Sequence, residues 1–316
     1  MNLRYKWDII GHQKQLAELE QDLAQNNLSH AYLVSGPQQV GKFSVMKTLA
    51  KILQCENNFC HVCQICHHIE KGYHPDTIEL TDDGESIKID QIRELIMRLN
   101  TTTQSKYQVV LIQNVERMTL ESSNALLKTL EDPPPNVIFL LTTSNLKALL
   151  ATIISRVRLL KFQNLQTTEL ADFLKIRYPE KNTQELEALT SLALGKPGKV
   201  IQLAENDELF RNYKKMYEEL ILLMDKEDRV ERFLYVATMI KEELPYDDFF
   251  QVFLAVARQE LLKLSAQNEL DEGLVKKRVK LILDLQKTAD LLQRNINARL
   301  ALENLMLALG NYFCLL

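Results

Sequence analysis

The sequence predicts an α/β domain built on a parallel sheet, followed by a second half that is entirely helical. Three observations carry that prediction: strand and helix patterns alternate up to about Leu165, the strands are unbroken apolar runs, and no strand pattern follows. A strand covered on both faces by crossover helices has no polar side, so continuous apolar runs between helices indicate a parallel sheet. The first strand, Ala31 to Ser35, runs straight into a glycine-rich turn and then a helix from about Phe43 to Leu53. Ile89, Ile92, Leu95, Ile96 and Leu99 recur at spacings of three and four, which puts them on one face of a helix with Asp90 near its start. A strand follows at Tyr107 to Gln113. Thr119 can cap the next helix, which carries Ala125, Leu126, Leu127 and Leu130, and Pro133 to Pro135 stop it before a strand at Val137 to Leu141. Val157 to Phe162 is the last strand of this unit.

Beyond Leu165 helical periods are broken at Gly195 to Gly198, near Asp225 to Asp228 and at Pro245. The expected division is therefore an α/β domain over residues 1–165 with a cysteine-rich insertion at about 55–66, a small helical piece over 166–206, and a larger helical bundle over 207–316. The leucine rows of that bundle read as core rather than as a partner-binding groove. With 316 residues, 46% of them hydrophobic, the chain can bury a core in each part. A net charge of −4 provides no overall basic field, so any nucleic-acid role is local or carried by a protein partner. The amino-terminal MNLRYKWDIIGHQ lacks the apolar run of a signal peptide, and no stretch approaches the roughly 20 apolar residues of a membrane span. A soluble, cytoplasmic protein without membrane attachment is expected.

Residues 36 to 43, GPQQVGKF, form a phosphate-binding loop that fails at its last letter. In such a loop glycines turn backbone N–H groups onto phosphates, the lysine neutralises them, and a serine or threonine hydroxyl holds Mg²⁺. Gly36, Gly41 and Lys42 are kept, but Phe43 cannot ligate a metal. Ser44 is one residue further on, about 100° around the helix, and points away from the metal position. A hydrolase also needs acids at the end of a neighbouring strand to hold the Mg²⁺ shell and orient water. The strand Val109 to Ile112 ends instead in Gln113 and Asn114, and Glu116 lies too far on to replace them. Losing the hydroxyl and both acids together indicates a protein that has abandoned hydrolysis, with ATP and Mg²⁺ bound weakly or not at all.

Cys55, Cys60, Cys63 and Cys66 lie within CENNFCHVCQIC, the last three at CxxC spacing. That spacing lets two thiolates reach one tetrahedral ion, and four soft ligands fill every position of a structural Zn²⁺ site. Buried free thiols, a redox pair and an iron–sulfur site are the other readings, and His61, His67, His68 and His74 crowd the same region. His74, before Pro75, reads as a loop residue. Ser155 and Arg156 stand directly before the last strand, where the guanidinium would be exposed at a sheet end. Such a group can stabilise charge on a transferring phosphoryl group, including one bound by a neighbouring subunit, or serve simply in a surface ion pair.

Taken in order, GPQQVGKF, the cysteine cluster, IKIDQIREL, VVLIQNVERM, SSNALLKTLEDPPPN, FLLTTSN and ISRV resemble the bacterial clamp-loader family of the AAA+ superfamily, over roughly residues 8 to 200. NALLKTLEDPP, from Asn124 to Pro134, is highly specific for that family. The resemblance implies an AAA+ P-loop domain, a helical lid and an all-α helical collar that joins subunits into a hetero-oligomeric ring. It further implies a ring of ATPase subunits and delta that opens a sliding clamp and places it on primed DNA. Ser155 and Arg156 match the family's SRC motif, which makes Arg156 an arginine finger acting in trans; Val157 replaces the motif's cysteine. In GKPGKV, at Gly195 to Val200, Lys196 and Lys199 are the only cations where an ATPase carries a nucleotide-sensing arginine. Ile9, Ile10 and Gly11 match the family's adenine-side segment. The altered residues favour a non-hydrolysing member with structural zinc. Its rivals are a divergent ATPase subunit with metal held by Ser44 and Glu116, and a DNA-reading zinc module, against which stands the absence of Lys and Arg from the cysteine cluster.

Overall fold

The computed structural model describes residues 3–313 apart from 8, 58, 101–102, 226–227, 267–271 and 293–295. The chain forms two compact units, Met1–Glu169 with Lys196–Gly198, and Leu170–Gly195 with Lys199–Leu316.

The first unit contains α1 (Gln13–Ala24), β1 (Ala31–Ser35), α2 (Lys42–Gln54), α3 (Gln64–Glu70), β2 (Thr77–Leu80), α4 (Ile89–Arg98), β3 (Gln108–Ile112), α5 (Leu120–Glu131), β4 (Val137–Thr143), α6 (Ala151–Ile154) and β5 (Arg158–Lys161). The five strands lie in the order β2-β3-β4-β1-β5, and every pairing is parallel, as the apolar runs predicted. Successive side chains of a strand face opposite ways, so each strand feeds two cores. Tyr32, Val34, Val109, Leu111, Ile138 and Leu140 pack against α1, α2 and α3. Ala31, Leu33, Val110, Ile112, Phe139 and Leu141 pack against α4, α5 and α6.

The helix signals act as predicted where they are local. The Thr119 hydroxyl accepts from Ser122 N–H at 3.2 Å and caps α5. Three elements were not expected: α1, α3 and the edge strand β2. Asp22 on α1 accepts from the Tyr32 hydroxyl at 2.9 Å and pairs with Arg158 at 2.5 Å, tying the helix to β1 and β5.

The second unit is helical throughout its described residues. α7 (Thr167–Arg177) leads into it, followed by α8 (Thr183–Ala193), α9 (Pro197–Glu205), α10 (Asp207–Asp225), α11 (Arg229–Lys241), α12 (Tyr246–Ala266), α13 (Glu272–Leu292) and α14 (Ala298–Phe313). The breaks expected near residues 195, 225 and 245 all separate helices. Among the described residues no helix is long and apolar enough to cross a membrane.

Candidate functional site

α2 carries a site at each end. At its start, Gly41 has φ +92°, a conformation that glycine adopts without a side-chain clash. A Cβ on Gly36 would lie 2.4 Å from the Phe162 carbonyl oxygen, so that position admits no side chain. Lys42 then folds back into the turn. Its ammonium donates to the carbonyls of Gly36 at 2.7 Å and Pro37 at 2.6 Å, and burial lowers its pKa to about 8. The cation meant for phosphate is therefore held by the loop's own carbonyls.

The rest of the loop is similarly engaged. Gly36 N–H donates to Thr143 O of β4 at 3.1 Å, and the Gln39 carbonyl accepts from Gly198 N–H at 2.8 Å. Phe43 packs at the margin of the core beside α2, with the Lys47 ammonium 5.8 Å from its ring centre, and Ser44 is exposed. His12 stacks on Phe162 with ring centres 3.9 Å apart. Burial lowers its pKa, opposed by a bond to the Val40 backbone and the charge of Glu169.

At the ends of β3 and β4 the two amides are fixed by an acid the sequence did not single out. The Gln113 amide oxygen accepts from Asp82 N–H at 3.2 Å, and the Asn114 amide nitrogen donates to the Asp82 carboxylate at 2.5 Å. Asp82 is itself paired with Arg117 at 3.1 Å, which leaves its charge compensated. Glu116, expected to lie too far on to replace the missing acids, turns back to the end of β4. One carboxylate oxygen accepts from Ser144 N–H at 2.8 Å and from its hydroxyl at 2.5 Å, while the other is buried without a partner. Burial opposes ionisation of Glu116, but the Ser144 hydrogen bonds outweigh it and hold the carboxyl below its ordinary value. Lys42 feels that negative charge.

At the far end of α2 the chain leaves the helix at Cys55, and Cys63 caps α3, accepting from Cys66 N–H at 3.4 Å. Phe59 (φ 62°) and His61 (φ 63°) take left-handed conformations on either side of Cys60, whose sulfur accepts from Cys63 N–H at 3.3 Å. The four sulfurs all lie within 4.8 Å of one another. Cys55 Sγ is 3.9 Å from Cys60 Sγ and 3.8 Å from Cys63 Sγ. Four thiolates at 2.3 Å around a tetrahedral Zn²⁺ stand about 3.8 Å apart, whereas a disulfide needs about 2.05 Å. The cluster fits a metal ion and not a pair of cross-links. The Val62 and Cys63 N–H groups lower the Cys60 thiol to about 7, while burial and the neighbouring sulfurs push Cys66 up to about 12. None of the nearby histidines joins the four sulfurs; His74 is a buried loop residue whose Nδ1 lies 3.3 Å from the Thr77 hydroxyl.

Ser155 and Arg156 precede β5, whereas the glycine loop follows its parallel neighbour β1, so the two sites lie at opposite ends of the sheet. Arg156 Nη1 donates to Thr152 O at 2.9 Å and to Ser155 Oγ at 3.2 Å, and Nη2 pairs with Glu131 at 2.7 Å. In the second unit, Lys199 is not available to a nucleotide as the sequence suggested. It is 4% exposed, lies 4.3 Å from the Tyr213 ring centre and pairs with Asp248, which also accepts from the Tyr213 hydroxyl.

Comparison with known proteins bears on the whole chain. A family model described as "DNA polymerase III, delta subunit" matches residues 11–166. The DNA polymerase III subunit gamma of Buchnera aphidicola subsp. Acyrthosiphon pisum is 36% identical over 177 residues, 54% of this chain and 49% of that protein. The chain thus spans about half the length of that relative. The DNA polymerase III subunit delta' of Haemophilus influenzae is 31% identical over 244 residues, 71% of this chain and 74% of that protein. In fold, a DNA polymerase III gamma subunit-related protein from Thermotoga maritima matches with a TM-score of 0.54 at 19% identity, covering 94% of this chain and 99% of that one. With a P-loop sheet, a helical remainder and a delta' relative matched over most of its length, the chain belongs to the clamp-loader subunit family of DNA polymerase III.

Proposed function

We propose that this chain is the delta-prime subunit of a clamp loader: a cytoplasmic, non-hydrolysing component that helps place a sliding clamp on primed DNA and lends Arg156 to a neighbouring ATPase. The observation that carries this reading is the closure of Lys42 onto the carbonyls of its own loop, beside two amides where acids would hold magnesium. Two of the three ammonium protons are thus taken by the loop itself, and the neutral amides lack the charge that would hold magnesium for hydrolysis in cis. The exposure of Arg156, about a third of its side chain, at the opposite end of the sheet supports the reading of action in trans. The reading carries with it a three-part division into an AAA+ domain, lid and collar at residues 1–165, 166–206 and 207–316, partners among the other clamp-loader subunits, and a structural Zn²⁺ on Cys55, Cys60, Cys63 and Cys66.

The test is Arg156→Ala within the assembled complex. Loss of a trans-acting arginine lowers hydrolysis at the adjacent site on the order of a thousandfold. An unchanged rate would sink the assignment. Glu116 supports a second reading, a divergent ATPase subunit, because its partnerless oxygen lies near enough for its charge to reach Lys42. That reading requires the purified chain to turn over ATP without partners.

A further inference from the structure

The segment Asn124–Pro134 is used by neither the loop nor the cysteine cluster. We propose that Glu131, at its end, is a positioning residue for Arg156; this rests on the reading of Arg156 as a finger acting in trans. α5 ends at Glu131 and cannot continue through Pro133, Pro134 and Pro135. A carboxylate at the last residue of a helix adds to the negative end of the helix dipole, an arrangement that favours a cation beside it. Arg156 is that cation, with Nη2 2.7 Å from the Glu131 carboxylate.

A guanidinium has five N–H donors in one plane. Two of those on Arg156 are directed to Thr152 O and Ser155 Oγ and a third to Glu131, which engages both protons of Nη1 and one of Nη2. Acceptors on α5 and α6 together fix the plane of the group, and they leave Nε–H and one Nη2–H for an outside anion. Neither side chain is deeply buried, with 35% of Arg156 and 46% of Glu131 exposed, so the pair adds little to the stability of the fold. What it provides is an arginine whose rotamer freedom is already restricted before a neighbour's phosphate arrives. Ser155 acts through the same group, as an acceptor for Nη1.

Restriction of one long side chain corresponds to roughly a three- to tenfold effect. The experiment is a double-mutant cycle in the assembled complex, read as single-turnover ATP hydrolysis at the site next to this subunit. Glu131→Ala lowers that rate about three- to tenfold without changing the KM for ATP. Glu131→Gln, which keeps an acceptor of the same shape, stays within about twofold of wild type. Combined with Arg156→Ala, the Glu131→Ala change has no further effect, because it acts only through the arginine. If Arg156→Ala reduces the rate while Glu131→Ala alone leaves it unchanged, positioning is wrong and the finger stands. An undiminished Glu131→Ala loss in the Arg156→Ala background also overturns positioning, since the residue then serves folding or assembly. A wild-type rate in Arg156→Ala removes both assignments.

Discussion

The two ends of α2 hold sites of opposite character. The helix has 13 residues, so the glycine loop and the cysteine cluster stand about 20 Å apart on one rigid element. At the loop end, Lys42 and both amides have found partners inside the chain. At the cluster end, four sulfurs converge to the spacing of a tetrahedral ion, and a compact group of thiols has no such internal solution. Polar groups that satisfy one another describe a scaffold, while ligands that converge on a shared centre describe a binding site.

Breaking the cluster is the strongest way to test that contrast. Purified protein should contain one zinc per chain by elemental analysis, and Cys63→Ser should abolish it. Metal–thiolate binding contributes to folding outright, so the variant loses at least about 3 kcal/mol, a fall in Tm of roughly 6–12 °C. If zinc is absent and Tm unmoved, the cluster is a set of buried thiols.

The loop end should respond much less, and in a different way. Asn114→Asp replaces the donor to Asp82 with a second carboxylate, so it costs about 1–3 kcal/mol in urea unfolding instead of restoring a magnesium site. Magnesium-dependent ATP binding by that single variant would show that only the amide had kept the loop closed.

The smallest effect sharpens the account of Lys42. Its folded pKa of about 8 lies below the unfolded value, so between those two values the unfolded chain binds more protons and stability rises with pH. Lys42→Met should remove up to about 1.4 kcal/mol per pH unit of that slope above pH 8. An equal slope in the variant would mean that the ammonium is not desolvated in its carbonyl nest.

The sequence made the sheet legible where strands are apolar on both faces, as β1, β3 and β4 are, and made the cysteine cluster legible because CxxC spacing is itself a distance constraint. β2 escaped because TIEL is short and carries Glu79 at the sheet edge, where only part of the strand is buried. α1 escaped because QKQLAELEQDLA buries only Leu16, Leu19 and Asp22. α3 was hidden because it starts inside the cysteine cluster, with Cys63 as its cap and Cys66 in its first turn. Glu116 and Glu131 were illegible as partners for a different reason: Glu116 meets Ser144 and Glu131 meets Arg156 only through the fold, at sequence separations that no helical or strand period reaches. Lys199 looked available in GKPGKV because nothing local reveals that Tyr213 and Asp248 enclose it.

The strand order also sets a timetable for synthesis. β1 is made early but pairs only with β4 and β5, so its backbone finds no strand partner until the chain has grown to Thr143, and its second only at Lys161. At roughly 5–20 residues per second, that interval is on the order of ten seconds. Throughout it AYLVS, among the most completely buried strands of the finished molecule, is unpaired and accessible to other nascent chains or to a chaperone. The glycine loop, which hangs from the end of β1, is therefore one of the last parts of the first unit to take its shape.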